Sequence, residues 1–145
     1  EDDKVEELRR MIESQGEQVA AGGTIKGIMT SNRSTVTTIG SGGVARAGTH
    51  IFLAAPKERR LCLPNTRFMI HQPGCGAGGP AADIAIQAKE IIQTRERIAR
   101  TVSDATGQDY DKVLLDMERD FWMSPKEATA YGIVDKVIQT IGELD

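Results

Sequence analysis

The sequence has few of the residues that build metal centres, disulfide frameworks or membrane spans. Its 145 residues include two cysteines and two histidines, and aromatic residues make up 4% of the chain. Cys62 and Cys75 have neither a CxxC spacing nor a histidine partner at metal-ligand spacing, which argues against a zinc site and a disulfide scaffold. No apolar run approaches the roughly 18 residues that a membrane helix needs. We therefore expect a soluble protein with free thiols, no bound metal and no membrane contact.

A strong charge of either sign is also missing. The chain has 18 basic and 21 acidic side chains and a net charge of -3. Residues 1–18 contain seven acids and three bases, so the remainder is nearly neutral and shows no basic field for a nucleic acid. The N-terminal sequence lacks the apolar core of a secretory signal. The sequence predicts one domain over residues 1–145, located in the cytoplasm, or in a plastid or organelle stroma if a targeting segment has been removed.

What the sequence does have is an alternation of strand-like and helix-like segments, which is typical of an α/β layered domain. The predicted strands are residues 34–43, 66–71 and 133–141. The predicted helices are residues 5–12, 44–55, 80–106, 109–117 and 124–132. Apolar residues on the longest helix form one stripe, which comprises Ile84, Ala88, Ile91, Ile98 and Val102.

Local signals mark the ends of these helices. Pro80 suits the first position of the long helix, and Gly107 is a natural stop. Asp109 can cap the helix that follows. Ser124–Glu127 is a capping box with a proline at the first helical position, and Gly132 would end the helix that it opens. These signals predict helix boundaries without reference to tertiary contacts.

Only a few residues are candidates for chemistry. His50 lies within an apolar helical segment, which is typical of a structural histidine. His71 ends a predicted strand beside a glycine-rich loop, where catalytic groups are common, although its residue type alone still favours a structural role. Asp120 precedes an apolar segment and, on spacing alone, is more typical of a solvated acid or a cap.

Four longer sequence blocks favour catalytic roles for His71 and Asp120 over structural ones. They read LPNTRFMIHQP, GGPAADIAIQAKEII, TGQDYDKVLLDMERDFWMSPKEA and AYGIVDKVI. Together they resemble the ClpP family, the serine peptidase core of the ATP-dependent Clp protease, and the likeness runs from about Val19 to Ile138. The resemblance implies a ClpP/crotonase-like layered fold with a protruding handle helix. It also implies that His71 is the general base and that Asp120 fixes its tautomer and stabilises the imidazolium.

The serine nucleophile of that family is missing. The turn that should carry it reads Gly42–Gly48 and has Arg46 at the serine position, 25 residues before the histidine. A guanidinium stays protonated and cannot act as a nucleophile. Ser41 and Thr49 are nearby hydroxyls, but a shift of five or three residues would point either one elsewhere. The resemblance assigns the backbone N–H of Ala47 to the oxyanion site.

A second departure from the family lies upstream. Family members have a strand and an SPGG-like loop whose N–H groups help to bind the oxyanion. The ungapped counterpart here is Ser14–Glu17, in which the second glycine becomes Glu17. Alternatively, residues 3–15 resemble the first helix of the family, and the strand and loop are absent. Both alignments predict a domain that is incomplete on its N-terminal side, without an intact oxyanion loop.

The favoured hypothesis is a non-catalytic subunit of the ClpR type. Such chains assemble with active ClpP subunits into heptameric rings, and two rings form a tetradecamer that degrades unfolded proteins delivered by an AAA+ unfoldase. The partner uses the ATP, so we expect no cofactor for this chain. The long helix would form the handle between rings through Ile84, Ile91 and Ile98, with Arg119 as an assembly residue. The isoleucines could also pack within one subunit.

Two enzyme readings stay open on the sequence. The chain could be an active ClpP-type serine endopeptidase whose nucleophile position has been altered. It could also be a crotonase-like acyl-CoA enzyme, since that superfamily shares the fold, although no pair of acids is placed around a thioester. A binding module unrelated to proteases leaves the four blocks unexplained.

Overall fold

A computed structural model describes residues 19–73 and 79–144. The α-helices of this part are α1 (Val19–Ser31), α2 (Ala47–Phe52), α3 (Ala81–Thr106), α4 (Tyr110–Asp116) and α5 (Pro125–Tyr131). The strands are β1 (Thr38–Gly40), β2 (Gly43–Val44), β3 (Arg60–Cys62), β4 (Arg67–Ile70), β5 (Phe121–Met123) and β6 (Lys136–Val137). Short 3-10 helices cover Lys57–Arg59 and Ile141–Leu144. The predicted helix at residues 5–12, the segment Ser14–Glu17 and Cys75 lie outside the described residues.

The strands form two three-stranded sheets. One sheet has the order β1-β3-β6 and is parallel throughout. The other has the order β2-β4-β5, in which β2 and β4 are parallel and β5 is antiparallel to β4. Helix α2 lies between β2 and β3 in the chain, so it connects one sheet to the other. The predicted α/β layered architecture is confirmed.

The strands are shorter than the sequence predicts. The β-branched segment 34–43 contributes only β1 and the first residue of β2, and the segment 133–141 contributes only β6. Ile133, Val134 and Ile138 are buried, so their apolar character reflects packing outside the ladder. Strands β3 and β5 were not predicted, because three residues are too few to show a period of two.

The core joins both sheets to the helices. Phe52 of α2 and Phe68 of β4 contact each other with ring centroids 5.1 Å apart. Ile98, Ala99 and Val102, near the end of α3, pack into the same core. Aromatic pairs at this separation contribute about 1 kcal/mol beyond their buried area. The centre of the molecule therefore fixes α2, β4 and the end of α3 relative to one another.

Helix α3 is buried only towards its C-terminal end. Ile84, Ile86 and Ile92 are exposed at 40%, 64% and 57%, and Ile91 is half-buried. Ile98 is buried at 7% exposure. Of the predicted stripe, Ile84 and Ile91 on the outer part of α3 are partly exposed, while Ile98 and Val102 belong to the core; Ile86 and Ile92 lie off the stripe.

The predicted helix ends are largely found. Gly107 takes the left-handed conformation at φ 76° after α3, and Pro80 is the N-cap rather than the first helical residue. The Asp109 side chain caps α4 by accepting from the Lys112 N–H. The capping box of α5 is formed, and Gly132 ends that helix at φ 101°. These caps satisfy backbone N–H groups at the first turns of α4 and α5 and so fix where each helix begins.

Among the described residues, no helix is long and apolar enough to cross a membrane. The same residues contain no cluster of three or more His, Cys, Asp or Glu side chains that could hold a metal ion. Cys62 is buried, and burial raises the pKa of its thiol.

Candidate active site

Arg46 lies on a sharp turn between β2 and α2. Its backbone adopts φ 54° and ψ -125°, and among the described residues it is the only one other than glycine with a positive φ. The Gly48 N–H donates to the Ala45 carbonyl, and the Thr49 N–H donates to the Arg46 carbonyl. A strained turn from a strand into a helix is the backbone geometry that presents a nucleophile in serine hydrolases. Here the turn presents an arginine.

The turn borders a small cavity of about 20 Å³. Its lining comes from four parts of the fold: the turn, α2, the end of β4, and α3. The lining residues are Arg46, Thr49, His50, Met69, Ile70, His71, Pro73, Ile98 and Val102. This volume suffices for about one water-sized atom. The cavity is therefore a small, partly open pocket between the turn, α2, β4 and α3.

His71 follows directly after β4 and is half-buried beside this cavity. Its Nδ1 lies against the Gln72 carbonyl oxygen. A carbonyl oxygen only accepts, so this contact assigns the proton to Nδ1 and leaves Nε2 as the acceptor. The Gln72 N–H donates to the Met117 carbonyl at 2.8 Å, which holds the backbone after the histidine. This contact is to a backbone carbonyl and not to Asp120, the residue that the family resemblance pairs with the base.

Asp120 lies at the end of the neighbouring strand. The antiparallel register pairs Ile70 with Phe121, so one further step places His71 opposite Asp120. Asp120 is exposed, is not part of the cavity lining, and makes no recorded hydrogen bond to His71. The structure therefore brings both residues to one end of the sheet, but it joins only His71 and Arg46 around the cavity.

Thr49 does not supply the missing hydroxyl. It is buried at 3% exposure, and its Oγ1 donates to the Met69 carbonyl at 2.7 Å, with the Val44 carbonyl 3.2 Å away. A threonine has one hydroxyl proton, and this bond commits it to fastening α2 onto β4. Ser41 precedes the turn, outside the cavity lining. No lining residue therefore offers a free hydroxyl.

His50 is part of the cavity wall, which the sequence reasoning missed. Burial, with smaller contributions from Lys26 on α1 and from His71, lowers its pKa from 6.5 to about 4. His50 follows Arg46 by four residues, which is about one helical turn. That spacing was the available signal, because it places both side chains on one side of the turn and helix.

The remaining predicted site residues lie outside the cavity lining. Ala47 is the first residue of α2, so its N–H has no acceptor within that helix. Arg119 is exposed in the turn before β5. Ile84 is exposed and Ile91 half-buried on the outer part of α3.

A strand-turn-helix elbow that faces a histidine is the framework of a serine hydrolase, here with an arginine in place of the nucleophile. The comparisons identify the family. The family model described as Clp protease matches residues 1–141, and the chain belongs to the Clp protease family. This match includes residues 1–18, part of which the alternative alignment compares with the first helix of the family.

Known relatives agree with this assignment. The chain is 48% identical over 139 residues to the ATP-dependent Clp protease proteolytic subunit 3 of Rhizobium meliloti (strain 1021), covering 96% of this chain and 71% of that protein. It is 43% identical over 143 residues to the ATP-dependent Clp protease proteolytic subunit of Paracoccus denitrificans, covering 99% and 72%. Among solved structures, ClpP1 from Listeria monocytogenes matches with a TM-score of 0.76 and 47% identity, covering 88% of this chain and 71% of that one.

Proposed function

We propose that this chain is a non-catalytic subunit of a Clp protease core. The observation that carries the proposal is Arg46 on the elbow that should present a serine. Acyl transfer at this position needs a nucleophile with a free lone pair, and a guanidinium, which stays protonated, has none to offer. The relatives from Rhizobium meliloti and Paracoccus denitrificans are proteolytic subunits of Clp proteases. We propose that this chain assembles as such a subunit but does not cleave peptides.

The remaining groups support the same conclusion. His71 borders the cavity, but the one hydroxyl among the described lining residues belongs to Thr49. Thr49 holds its proton on the Met69 carbonyl. The family match favours this reading over a crotonase-like acyl-CoA enzyme. The second candidate, an active endopeptidase with an altered nucleophile, would need a hydroxyl from outside the cavity lining.

Assembly is the positive part of the proposal. The outer part of α3 exposes Ile84, Ile86 and Ile92, while the other end of the helix is buried in the core. Burying such side chains contributes about 1.5 to 3 kcal/mol each. We assign this surface, with Arg119, to contacts with ClpP-type subunits in heptameric rings. An AAA+ unfoldase that uses ATP would deliver unfolded proteins to that assembly.

Peptide cleavage tests the loss of chemistry. The purified chain should not cleave a fluorogenic peptide, and a fluorophosphonate reagent should not label it. Arg46→Ala is the matched control for the reagent. Arg46→Ser places a hydroxyl on the elbow beside His71 and should become labelled. Cleavage by the unmodified chain, together with labelling of one of its own hydroxyls, would overturn the proposal.

Native mass spectrometry tests the assembly. The chain should enter ring-sized complexes, alone or with active ClpP chains. The double variant Ile86→Asp, Ile92→Asp should reduce their abundance, whereas Ile141→Asp, at an equally exposed isoleucine far along the chain from α3, should not. A persistent monomer under all conditions would refute the assembly role.

A further inference from the structure

A buried arginine in the first sheet binds the end of the longest helix. Arg60, the first residue of β3, is exposed at only 2%. Its Nη2 donates a hydrogen bond of 2.7 Å to the carbonyl of Ala105, in the last turn of α3. The two residues are 45 positions apart in the sequence. The contact therefore joins the first sheet directly to the C-terminal end of α3.

This bond uses little of the hydrogen-bonding capacity of the guanidinium. Arg60 Nε and Nη1 are buried, and no acceptor among the described residues lies within hydrogen-bond distance of them. A buried donor without an acceptor costs about as much as one charge-assisted hydrogen bond returns, so two such donors offset the bond to Ala105. Buried charged groups are weak sources of stability, and an apolar residue of similar volume often serves as well. Stability alone therefore does not explain an arginine at this position.

Two further contacts hold the same end of α3. The Gln108 side chain, just after the helix, donates through Nε2 to the Tyr131 carbonyl at 3.0 Å. Gly132, which ends α5, approaches the Thr106 carbonyl so closely that a Cβ would collide with it. The end of α3 is thus fixed against both β3 and α5, and Arg60 provides the contact on the side of the sheet.

A fixed end matters because α3 projects from the core. Its buried residues Ile98 and Val102 are about 6 Å apart along the helix axis, whereas Ile84 lies about 21 Å beyond Ile98. Apolar contacts are non-directional, so over this short length they constrain the distance of the helix from the core more than its tilt. The Ala105 carbonyl, about 10 Å from Ile98, gives the axis a second fixed point. A tilt of about 5° around that point would move Ile84 by about 3 Å.

We infer that Arg60 is a positioning residue for subunit assembly, because its bond to the Ala105 carbonyl fixes the direction in which α3 presents its outer isoleucines to a neighbouring ClpP-type subunit. The inference rests on the proposed function, which assigns the outer part of α3 to assembly. Arg60 is buried within one chain and touches no partner itself. It acts through α3, and it selects one direction of the helix rather than adding to the free energy of unfolding.

Spin-label distances within one chain test the direction of α3. The labels are attached at Lys89→Cys on the outer part of α3 and at Lys126→Cys on α5, both exposed positions. Cys62 is buried, and Cys75→Ser removes the other native thiol. The labelled chain is diluted into unlabelled chain, so that only distances within one chain are read. Arg60→Met should widen the distance distribution at least twofold, whereas Arg60→Lys, which keeps a charged donor, should leave it close to that of the unmodified chain.

Ring abundance in native mass spectra, alone and with active ClpP chains, tests the consequence for assembly. Arg60→Met should reduce ring-sized complexes at least fivefold, and Arg60→Lys should retain most of them. Ile138→Val is the matched control, because Ile138 is buried at 1% exposure but lies outside the core cluster that contains the α3 residues. This control loses stability without a change at the end of α3, so its rings should persist.

Four results would overturn the inference. The distance distribution of Arg60→Met could be unchanged, or it could widen while ring abundance stays the same. Arg60→Met could fail to fold, which would make Arg60 a residue of stability rather than of position. Ile138→Val could lose its rings as Arg60→Met does, which would show that assembly follows stability. Absence of rings from the unmodified chain would instead overturn the proposed function, while the distances would still decide whether Arg60 directs α3.

Discussion

Replacement of Arg46 by glycine should stabilise the chain. The Arg46 Cβ makes the backbone at φ 54° and ψ -125° unfavourable, and glycine lacks a Cβ. Arg46 is exposed and makes no recorded ion pair with another described residue, so little packing is lost with its side chain. The change therefore acts chiefly on the backbone of the turn.

The magnitude follows from two opposing terms. Relief of the unfavourable conformation contributes about 1 to 3 kcal/mol. The extra freedom of glycine in the unfolded chain offsets about 0.5 to 1 kcal/mol of that. The net increase in the free energy of unfolding should be about 1 kcal/mol. For a domain of this size that corresponds to a rise in Tm of roughly 3 °C.

Chemical denaturation of three proteins separates the backbone from the side chain. Arg46→Ala removes the guanidinium but keeps the Cβ, so it should not gain the stability that Arg46→Gly gains. The midpoint should shift between the two variants without a change in m-value. If Arg46→Gly is no more stable than Arg46→Ala, the turn is not strained by its Cβ and the reasoning fails.

Further predictions concern packing and protonation. Gly132 has φ 101°, and in Gly132→Ala the new Cβ would collide with the Thr106 carbonyl oxygen, so this variant should lose more than about 3 kcal/mol of unfolding free energy. Gly107→Ala, whose Cβ would meet no other atom, should lose about 1 kcal/mol. The same denaturation assay measures both. His50 has a pKa of about 4 in the folded chain, so on acidification the unfolded chain binds a proton at this side chain before the folded chain does. The free energy of unfolding should therefore fall as the pH drops from about 6.5 to about 4, by up to about 3 kcal/mol. His50→Phe should remove that part of the pH dependence, and an unchanged profile would contradict it. Burial and the hydrogen bond that Tyr131 donates to the Asp116 carboxylate raise the pKa of Tyr131. In an absorbance titration at 295 nm, Tyr131 should therefore stay protonated well above pH 10 while the chain is folded. The unfolded chain loses this proton first, so the free energy of unfolding should fall above pH 10, and Tyr131→Phe should remove that fall.

Helix ends were predictable because their signals are local. The capping box at Ser124 and the stops at Gly107 and Gly132 depend on residues within one turn of the helix end. Strand ends were not predictable to the same degree. In strands as short as β3 and β6, the ladder partner decides which residues are extended, and that partner lies far away in the sequence.

In the candidate site, too, residues marked by sequence motifs were predictable, whereas a residue placed by tertiary packing was not. Arg46 and His71 were found from motif blocks, and the structure places both around one cavity. His50 was assigned to the helix interior because its neighbours are apolar. Its position in the cavity wall depends on how α2 docks against β4, through the buried Thr49 hydroxyl. Such docking is a tertiary property that no local pattern encodes.

Helix α3 belongs to two regions at once, and this has a mechanical consequence. Ile98 and Val102 form part of the cavity wall, while Ile84 lies on the exposed outer part of the same unbroken helix. A rigid rod that pivots about its C-terminal end would carry a displacement of Ile84, about 33 Å away, to Ile98, about 12 Å away, at about a third of its size. A partner bound to the outer part of α3 would therefore act on the same unbroken helix that forms one wall of the space beside Arg46.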